Sequence, residues 1–420
     1  MNKIEQAIEQ MNSGDVDHAL QLLQQFIESA TDDEKFMVAN LYYDWGFFEE
    51  AIDLLETLLK IYPKEGQLIT KLAEMYIELE KDEKAVNLLN EIEEDDPFYL
   101  QSLLQVADLY HAQGLFEVAE QKLLQAKQID PEEKVIDFAL GELLFATGKY
   151  HRAIPFYEKI VNEVLELNNI SIKERLAESY ALLGHYEQAL SFYSQIDSQN
   201  PDTLFKHGFT AYQQKRNDIA INIWKQLLDI DPHYHAVYPE LANAMREEEM
   251  IDEAFAVVEQ GLTYDEFNKE LYFLAGQLAI TRQKDKEAIS YLQEAISLDL
   301  DYQEAILLLI QVYKENDVYT DVINLLTDIK HAGANDPLYD WELARAYCEE
   351  ECFQEAHKAY EDASNHLMHD RDFLKEYGYF LIEEGLHKKA IPILEKYIKL
   401  EPTDEETISF LERLKFSIDE

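Results

Sequence analysis

Residues 106–131 read VADLYHAQGLFEVAEQKLLQAKQIDP, and the spacing inside this stretch decides the fold. Ala107 and Ala119 are small residues twelve positions apart, each followed by a bulky one, Tyr110 and Leu123. Offsets of three and four place each such pair on one face of a helix. Gly114 lies between them, where a left-handed residue ends a first helix. Pro131 cannot continue the second helix. The stretch therefore describes two helices that cross closely at their small residues, since a larger side chain there forces them apart.

The same arrangement recurs along the chain. The second small residue returns at Ala19, Ala51, Ala85, Ala119, Ala153, Ala189, Ala220, Ala254, Ala288, Val322, Ala356 and Ala390. Eight of these eleven intervals are 34 residues, a regularity that scattered alanines do not produce. A first small residue precedes most of them by twelve positions, for example Ala39, Ala73, Gly141, Ala177, Gly208, Ala242, Gly276, Ala344 and Gly378. Glycines 14, 46, 148, 184 and 385 repeat the place of Gly114, and prolines 63, 97, 201, 232 and 402 the place of Pro131. One helix pair cannot cover its own apolar face, so such pairs must stack. The tenth repeat is degenerate, with Ile310 and Val322 at its two small positions.

This pattern resembles the tetratricopeptide repeat, and LAESYALLGHYEQALSFYSQIDSQNP (176–201) matches it as closely as 106–131. The resemblance implies an all-α fold, an α-α superhelix (a right-handed solenoid) of about twelve helix-turn-helix repeats over residues 1–402. Two intervals, 36 and 31, break the rhythm around residues 161–217 and are read as a longer second helix that bends the array, or as a loop insertion. Residues 403–420 read as a C-terminal capping helix, with Thr403 and Glu406 as a capping box and Ile408, Leu411 and Leu414 on one face. The repeat architecture and acidic composition further resemble cytosolic repeat proteins of low-GC Gram-positive bacteria.

Composition narrows the function. Lys and Arg number 36 against 85 Asp and Glu, a formal net charge of −49. Nucleic-acid binding rests on clustered cations, so it is not expected, and anionic membrane surfaces are disfavoured for the same reason. The acidic surface keeps a long array in solution, and it would also steer in partners that carry basic segments. The first residues, MNKIEQAIEQMNSGD, have no apolar core of a signal peptide, and the run from Ala305 to Ile310 is too short to span a bilayer. A cytoplasmic location is expected. No nucleophile elbow, phosphate loop or zinc-protease motif occurs, so no enzyme, catalytic residue or cofactor is expected. Cys348 and Cys352, four apart with His357, His366 and His369 nearby, fall on different helix faces and are not read as a metal site.

The resemblance implies that the first helix of each pair lines a concave groove. Positions on that helix not used in packing give the candidate partner-binding residues: Phe36, Asn40, Tyr43, Glu74, Asp108, Phe138 and Glu142 in the first half. In the second half they are Phe205, Phe209, Tyr212, Asn243, Arg246, Phe273, Gln277, Trp341, Arg345 and Tyr379. Aromatic side chains free of a packing role make good anchors. The first half mixes them with carboxylates, while Arg246, Lys314 and Arg345 give the second half a positive character. The leading expectation is a scaffold or adaptor that binds protein or peptide partners along this groove. The rival is a small-peptide-sensing regulator, which usually carries an output domain ahead of its repeats.

Overall fold

The computed structural model describes residues 3–334 and 336–419, with side chains through Phe416. It divides into two compact units, Met1–Ser198 and Gln199–Glu420. The first unit holds six helix pairs. They begin with α1 (Lys3–Asn12) and α2 (Val16–Ile27), α3 (Asp32–Asp44) and α4 (Phe48–Ile61), and α5 (Gly66–Glu78) and α6 (Asp82–Leu89). They continue with α7 (Tyr99–Ala112) and α8 (Phe116–Ile129), α9 (Lys134–Ala146) and α10 (Tyr150–Ile160), and α11 (Ile172–Leu182) and α12 (Tyr186–Tyr193). In the second unit come α13 (Pro201–Gln213) and α14 (Asn217–Ile230), α15 (Val237–Glu247) and α16 (Ile251–Tyr264), and α17 (Lys269–Thr281) and α18 (Asp285–Leu298). There follow α19 (Gln303–Glu315) and α20 (Tyr319–His331), α21 (Pro337–Glu349) and α22 (Phe353–Leu367), α23 (Arg371–Glu383) and α24 (His387–Leu400), and a last helix, α25 (Glu405–Asp419).

Each pair turns at a residue five positions before its second small residue, and that residue lies at positive φ in all twelve repeats. Six are Gly14, Gly46, Gly114, Gly148, Gly184 and Gly385; the other six are Glu80, Lys215, Glu249, Gln283, Asp317 and Glu351, at φ between 56° and 60°. The hydrogen bonding is the same with or without glycine. Leu115 N donates to Tyr110 O at 2.8 Å, and Lys284 N to Ala279 O at 2.9 Å, which closes the last turn of the first helix. A side chain in the left-handed region costs about 1 kcal/mol or more, so the hairpin packing imposes this turn.

That packing centres on the small residues. A Cβ added to Gly141 would lie 2.6 Å from the Tyr157 ring, and one on Gly208 2.3 Å from Trp224 Nε1. Gly276 and Gly378 meet Leu292 and Leu394 in the same way, at 2.8 and 2.4 Å. The bulky residue four after the second small residue thus packs inside its own hairpin, onto the first small residue. The bulky residue three after the first small residue does the work between repeats: Tyr76 donates its hydroxyl to Glu56 on α4 at 2.6 Å, and Tyr180 to Glu158 on α10 at 2.6 Å. At two repeat junctions an ion pair accompanies the apolar packing, Lys127 on α8 with the buried Asp137 on α9, and Lys330 on α20 with Asp340 on α21.

The irregular sixth repeat differs from the longer helix entertained above. After α10 ends at Ile160, two short strands, β1 (Glu166–Leu167) and β2 (Ile170–Ser171), form a hairpin. Asn168 and Asn169 both take positive φ, 51° and 62°, the requirement of a tight two-residue connection. The three residues missing further on leave α12 eight residues long, and Pro201 becomes the first residue of α13 behind the Asn200 cap. At the C-terminus the cap falls one residue later than Thr403: the Asp404 carboxylate accepts from Thr407 N at 3.0 Å, while Thr403 bonds Glu401. Leu411 and Leu414 are buried, whereas Phe416 is exposed.

Two stability outcomes follow from this geometry. Gln283→Gly removes the left-handed side chain and should stabilise the α17–α18 hairpin by about 0.5–1 kcal/mol, measured as slower native-state hydrogen exchange. Gly208→Ala should destabilise its repeat by about 1–3 kcal/mol in the same measurement, because Trp224 has no room to yield without moving a buried hairpin. Unchanged exchange in the α13–α14 amides of that variant would contradict the packing account.

Candidate functional site

Four positions on each first helix bear on the site, three before the first small residue, two before it, one after it and four after it, though Thr70, Phe138, Leu274 and Trp341 among them are buried. The sequence reading took the first, third and fourth. The structure shows that the second carries the partners. In the first unit Gln105, two before Ala107, donates to Glu74, one after Ala73, at 3.2 Å. Arg175, two before Ala177, grips Glu142, one after Gly141, through Nε at 2.8 Å and Nη2 at 3.1 Å. In the second unit Arg345, one after Ala344, holds Glu376, two before Gly378, through Nη2 at 2.7 Å. These rungs join the first helix of one repeat to that of the next. Lys71, Gln105, Arg175, Glu240 and Glu376 were missed, although they return with the same period as the residues that were found.

Several rungs are backed by an aromatic ring. Lys71 Nζ lies 4.0 Å from the centre of Tyr43 while bonding Glu74 at 2.9 Å. The Arg175 guanidinium lies 4.5 Å from Phe145 and also bonds Glu178 at 2.9 Å. Arg345 stacks 4.1 Å from Trp341 and adds Glu342 at 2.7 Å. Each is a cation held between a ring face and a carboxylate, two attractions that reinforce each other where water is partly excluded. Hydroxyls from the second helices complete them: Tyr157 donates to Glu142 at 2.5 Å and Tyr360 to Glu376 at 2.8 Å, and burial and that carboxylate push both phenols far above their usual range.

The remaining candidates divide by what covers them. Phe138 and Trp341 are buried, 6% and 8% exposed, so they are core side chains and not open anchors. Phe138 belongs to the cluster of Tyr157 and Ile160, and Trp341 packs edge-on against Phe373 at 5.5 Å. Tyr379 is engaged by the terminal helix, through Thr407 at 3.1 Å and Phe410 at 5.7 Å between rings. The cations expected to give the second half a positive character are engaged locally: Lys314 donates to Glu342 at 2.9 Å and Arg345 to two glutamates, which neutralise them, while Arg246 keeps its charge and donates to the amide of Gln277 at 2.8 Å. Phe36, Asn40, Tyr43, Asn243, Phe273 and Gln277 are half-buried on the first-helix face, and Phe209 is 40% exposed.

Two carboxylates on this face differ from the rest. Asp108 is open to water, yet the protein mass around it pushes its carboxyl above the ordinary value, a combination that a concave surface gives. Glu240 is half-buried, and burial raises it too. A cavity of about 510 Å³ in the first unit is lined by residues of α4, α5 and α6, among them Glu56, Leu59, Tyr76 and Leu88. On the first-helix face of the second unit a cavity of about 490 Å³ is lined by Leu307, Ile310, Gln311, Lys314, Glu315 and Glu342. It adjoins the degenerate tenth repeat. Among the described residues no three His, Cys, Asp or Glu side chains are grouped to hold a metal, and no helix is long and apolar enough to cross a membrane.

Comparison with known proteins follows the repeat. Family models described as "YpiA-like, tetratricopeptide repeats" and "YpiA-like, C-terminal tetratricopeptide repeats" match residues 111–164 and 337–404, and a general tetratricopeptide-repeat model matches 46–107. TPR repeat-containing protein YpiA of Bacillus subtilis strain 168 is 41% identical over 405 residues, covering 96% of each chain. The chain belongs to the YpiA-like tetratricopeptide-repeat family. Its bacterial, low-GC Gram-positive character agrees with that relative. A tetratricopeptide-repeat protein of Methanocaldococcus jannaschii is 22% identical over 62% of this chain and 49% of its own. Among solved structures, the C-terminal part of a repeat protein from Cytophaga hutchinsonii covers 65% of this chain and 98% of that one at 15% identity and a TM-score of 0.43. YrrB, described as a TPR protein with an unusual peptide-binding site, covers 44% of this chain and 95% of its own at 16% identity and a TM-score of 0.39.

The Arg345–Glu376 rung of this YpiA-like chain gives a test with a definite sign. Burial alone would raise the Glu376 carboxyl, but Arg345, Tyr360 and Trp341 together hold it below its ordinary value of 4.5. A depressed carboxyl stabilises the fold above that value, and the contribution is lost as pH falls through the folded pKa. Glu376→Gln should therefore cost about 2 kcal/mol at pH 7, read from urea midpoints. The gap to the parent should narrow steadily below pH 4.5; a gap independent of pH would refute the assignment.

Proposed function

We propose that this protein is a non-enzymatic cytoplasmic scaffold or adaptor that holds extended segments of partner proteins along the first-helix face of its repeats. The observation that carries this reading is the division of labour between faces. Packing within and between hairpins is done by the small residues and their bulky partners. The first-helix positions outside that packing and outside the ladder carry rings, amides and carboxylates, among them the exposed Phe209, and Gln311 beside its cavity. Side chains of mixed polarity that no internal contact requires are the material of a recognition surface. Gln311 already bonds Glu315 at 2.8 Å within its own helix, a local bond that a peptide amide can replace. Membership of a family of repeat proteins supports the same reading.

A photo-crosslinking residue placed singly at Phe209 or Gln311 should give adducts with cytosolic proteins. The same residue at Leu124, exposed on the second helix α8, should give at least fivefold fewer. Adducts that form equally from both faces, or only from Leu124, would rule out the first-helix face as the binding surface.

A further inference from the structure

The cation sandwiches described above show by contrast what is missing at one equivalent place. At three sites the chain supplies ring, carboxylate and cation from its own first helices: Tyr43, Glu74 and Lys71; Phe145, Glu142 and Arg175; Trp341, Glu376 and Arg345. Between α13 and α15 the first two components are present. Phe209 stands one after Gly208, and Glu240 two before Ala242, the same two positions that bond in the Glu74–Gln105, Glu142–Arg175 and Arg345–Glu376 rungs. Where Lys71 and Arg175 sit over the ring four after the preceding small residue, whose counterpart here is Tyr212, this repeat carries Glu240 with its charge reversed, and Phe209 stands where the other sites carry Glu74 and Glu142.

The rings here are grouped. Phe205 lies 6.4 Å from Phe209, 5.3 Å from Tyr234 and 6.3 Å from Trp224, and Tyr212 lies 5.9 Å from Trp224. Phe205 and Tyr212 are thereby fixed as walls, while Phe209 presents 40% of its surface to water. Tyr212 is otherwise engaged, its hydroxyl to Glu247 at 2.7 Å and its ring with Lys215 at 5.4 Å. Arg246, the nearest guanidinium in sequence, turns to Gln277. Glu240 has no hydrogen-bond or ion-pair partner among the described residues, and burial raises its carboxyl without a compensating cation. Burial raises the Tyr212 phenol and Glu240 is close enough to raise it further, and a desolvated carboxylate near aromatic rings, whose quadrupoles also favour positive charge, is complementary to a cation.

We propose that Phe209 and Glu240, walled by Phe205 and Tyr212, form a subsite for an arginine or lysine side chain of an extended partner segment. It rests on the protein-binding reading and names the chemistry recognised at one point of that face. Charge complementarity selects this occupant: the chain's net charge of −49 draws basic segments to it, and the empty rung supplies a specific seat.

The test uses N-acetyl-arginine amide as probe and N-acetyl-citrulline amide, its uncharged counterpart, as control. The full chain is labelled with fluorotryptophan, and the resonance of Trp224, within 6.3 Å of Phe205, is followed during titration. The arginine probe should shift this resonance saturably and the citrulline compound should not. Phe209→Ala and the isosteric Glu240→Gln should each weaken the interaction about fivefold or more. Equal shifts from both compounds, or an unaltered affinity in Glu240→Gln, would overturn the subsite. So would parallel shifts of Trp45 and Trp341, which mark diffuse attraction to an acidic surface. Crosslinking from Phe209 that persists in Glu240→Gln would leave the binding face standing and remove only the cation seat.

Discussion

The closeness of two helices at one small residue governs the rest of this molecule. At Gly141 and Gly208 the opposing ring occupies the space of a β-carbon, and at Gly276 and Gly378 a leucine does so. Once that contact is made, the rotation of the first helix about its axis is settled, because i+3 and i+4 neighbours are carried round with it. The turn between the helices is settled too. Lys215, Gln283 and Asp317 accept a left-handed backbone since the crossing leaves the chain no other way to return. Volume compensation is only part of the matter: glycine faces tyrosine or tryptophan in two repeats, yet leucine in two others.

Fixing the first helices in rotation aligns their outer side chains from one repeat to the next, and this alignment builds the ladder. A rung such as Glu142–Arg175 joins positions 33 residues apart in sequence because successive hairpins within the unit present the same face. The chain has few cations, 36 against 85 acidic residues, and Lys71, Arg175, Lys314 and Arg345 are committed to this ladder. Internal pairing of the scarce sign leaves the abundant one outside. The acidity of the surface and the order of the ladder are therefore two consequences of one allocation of charge.

The period made the fold legible. Ala or Gly in phase located eleven hairpins, including those whose turns carry Glu80 or Glu351 in place of glycine and so give no local signal, and the period alone placed the tenth. What periodicity cannot supply is the identity of the covering group. It put Phe138, Trp341 and Tyr379 on the correct helix face, but the neighbouring repeat buries the first two and α25 engages the third. The position two before the small residue was passed over because Lys71, Arg175 and Glu376 look like ordinary solvated charges until the Tyr43 ring, Glu142 and Arg345 of the adjoining repeats are in place. The hairpin at residues 166–171 was hidden for a different reason: two-residue strands carry too little alternation to read, and only Asn168-Asn169 hinted at the turn.

Gln105 shows why the charge at Glu240 matters. It occupies the same position, two before the small residue, and closes a rung with a neutral amide. The fold therefore accepts an uncharged side chain there, and an amide at the place of Glu240 would avoid the cost of holding a carboxylate partly out of water. Among the described residues nothing recovers that cost, since burial raises the Glu240 carboxyl and no guanidinium or ammonium there pairs with it. A group that is unfavourable where it stands, set among rings that attract cations, is explained when the missing charge arrives with the partner. On that argument the irregular rung marks where the ladder stops holding the protein together and begins to hold something else.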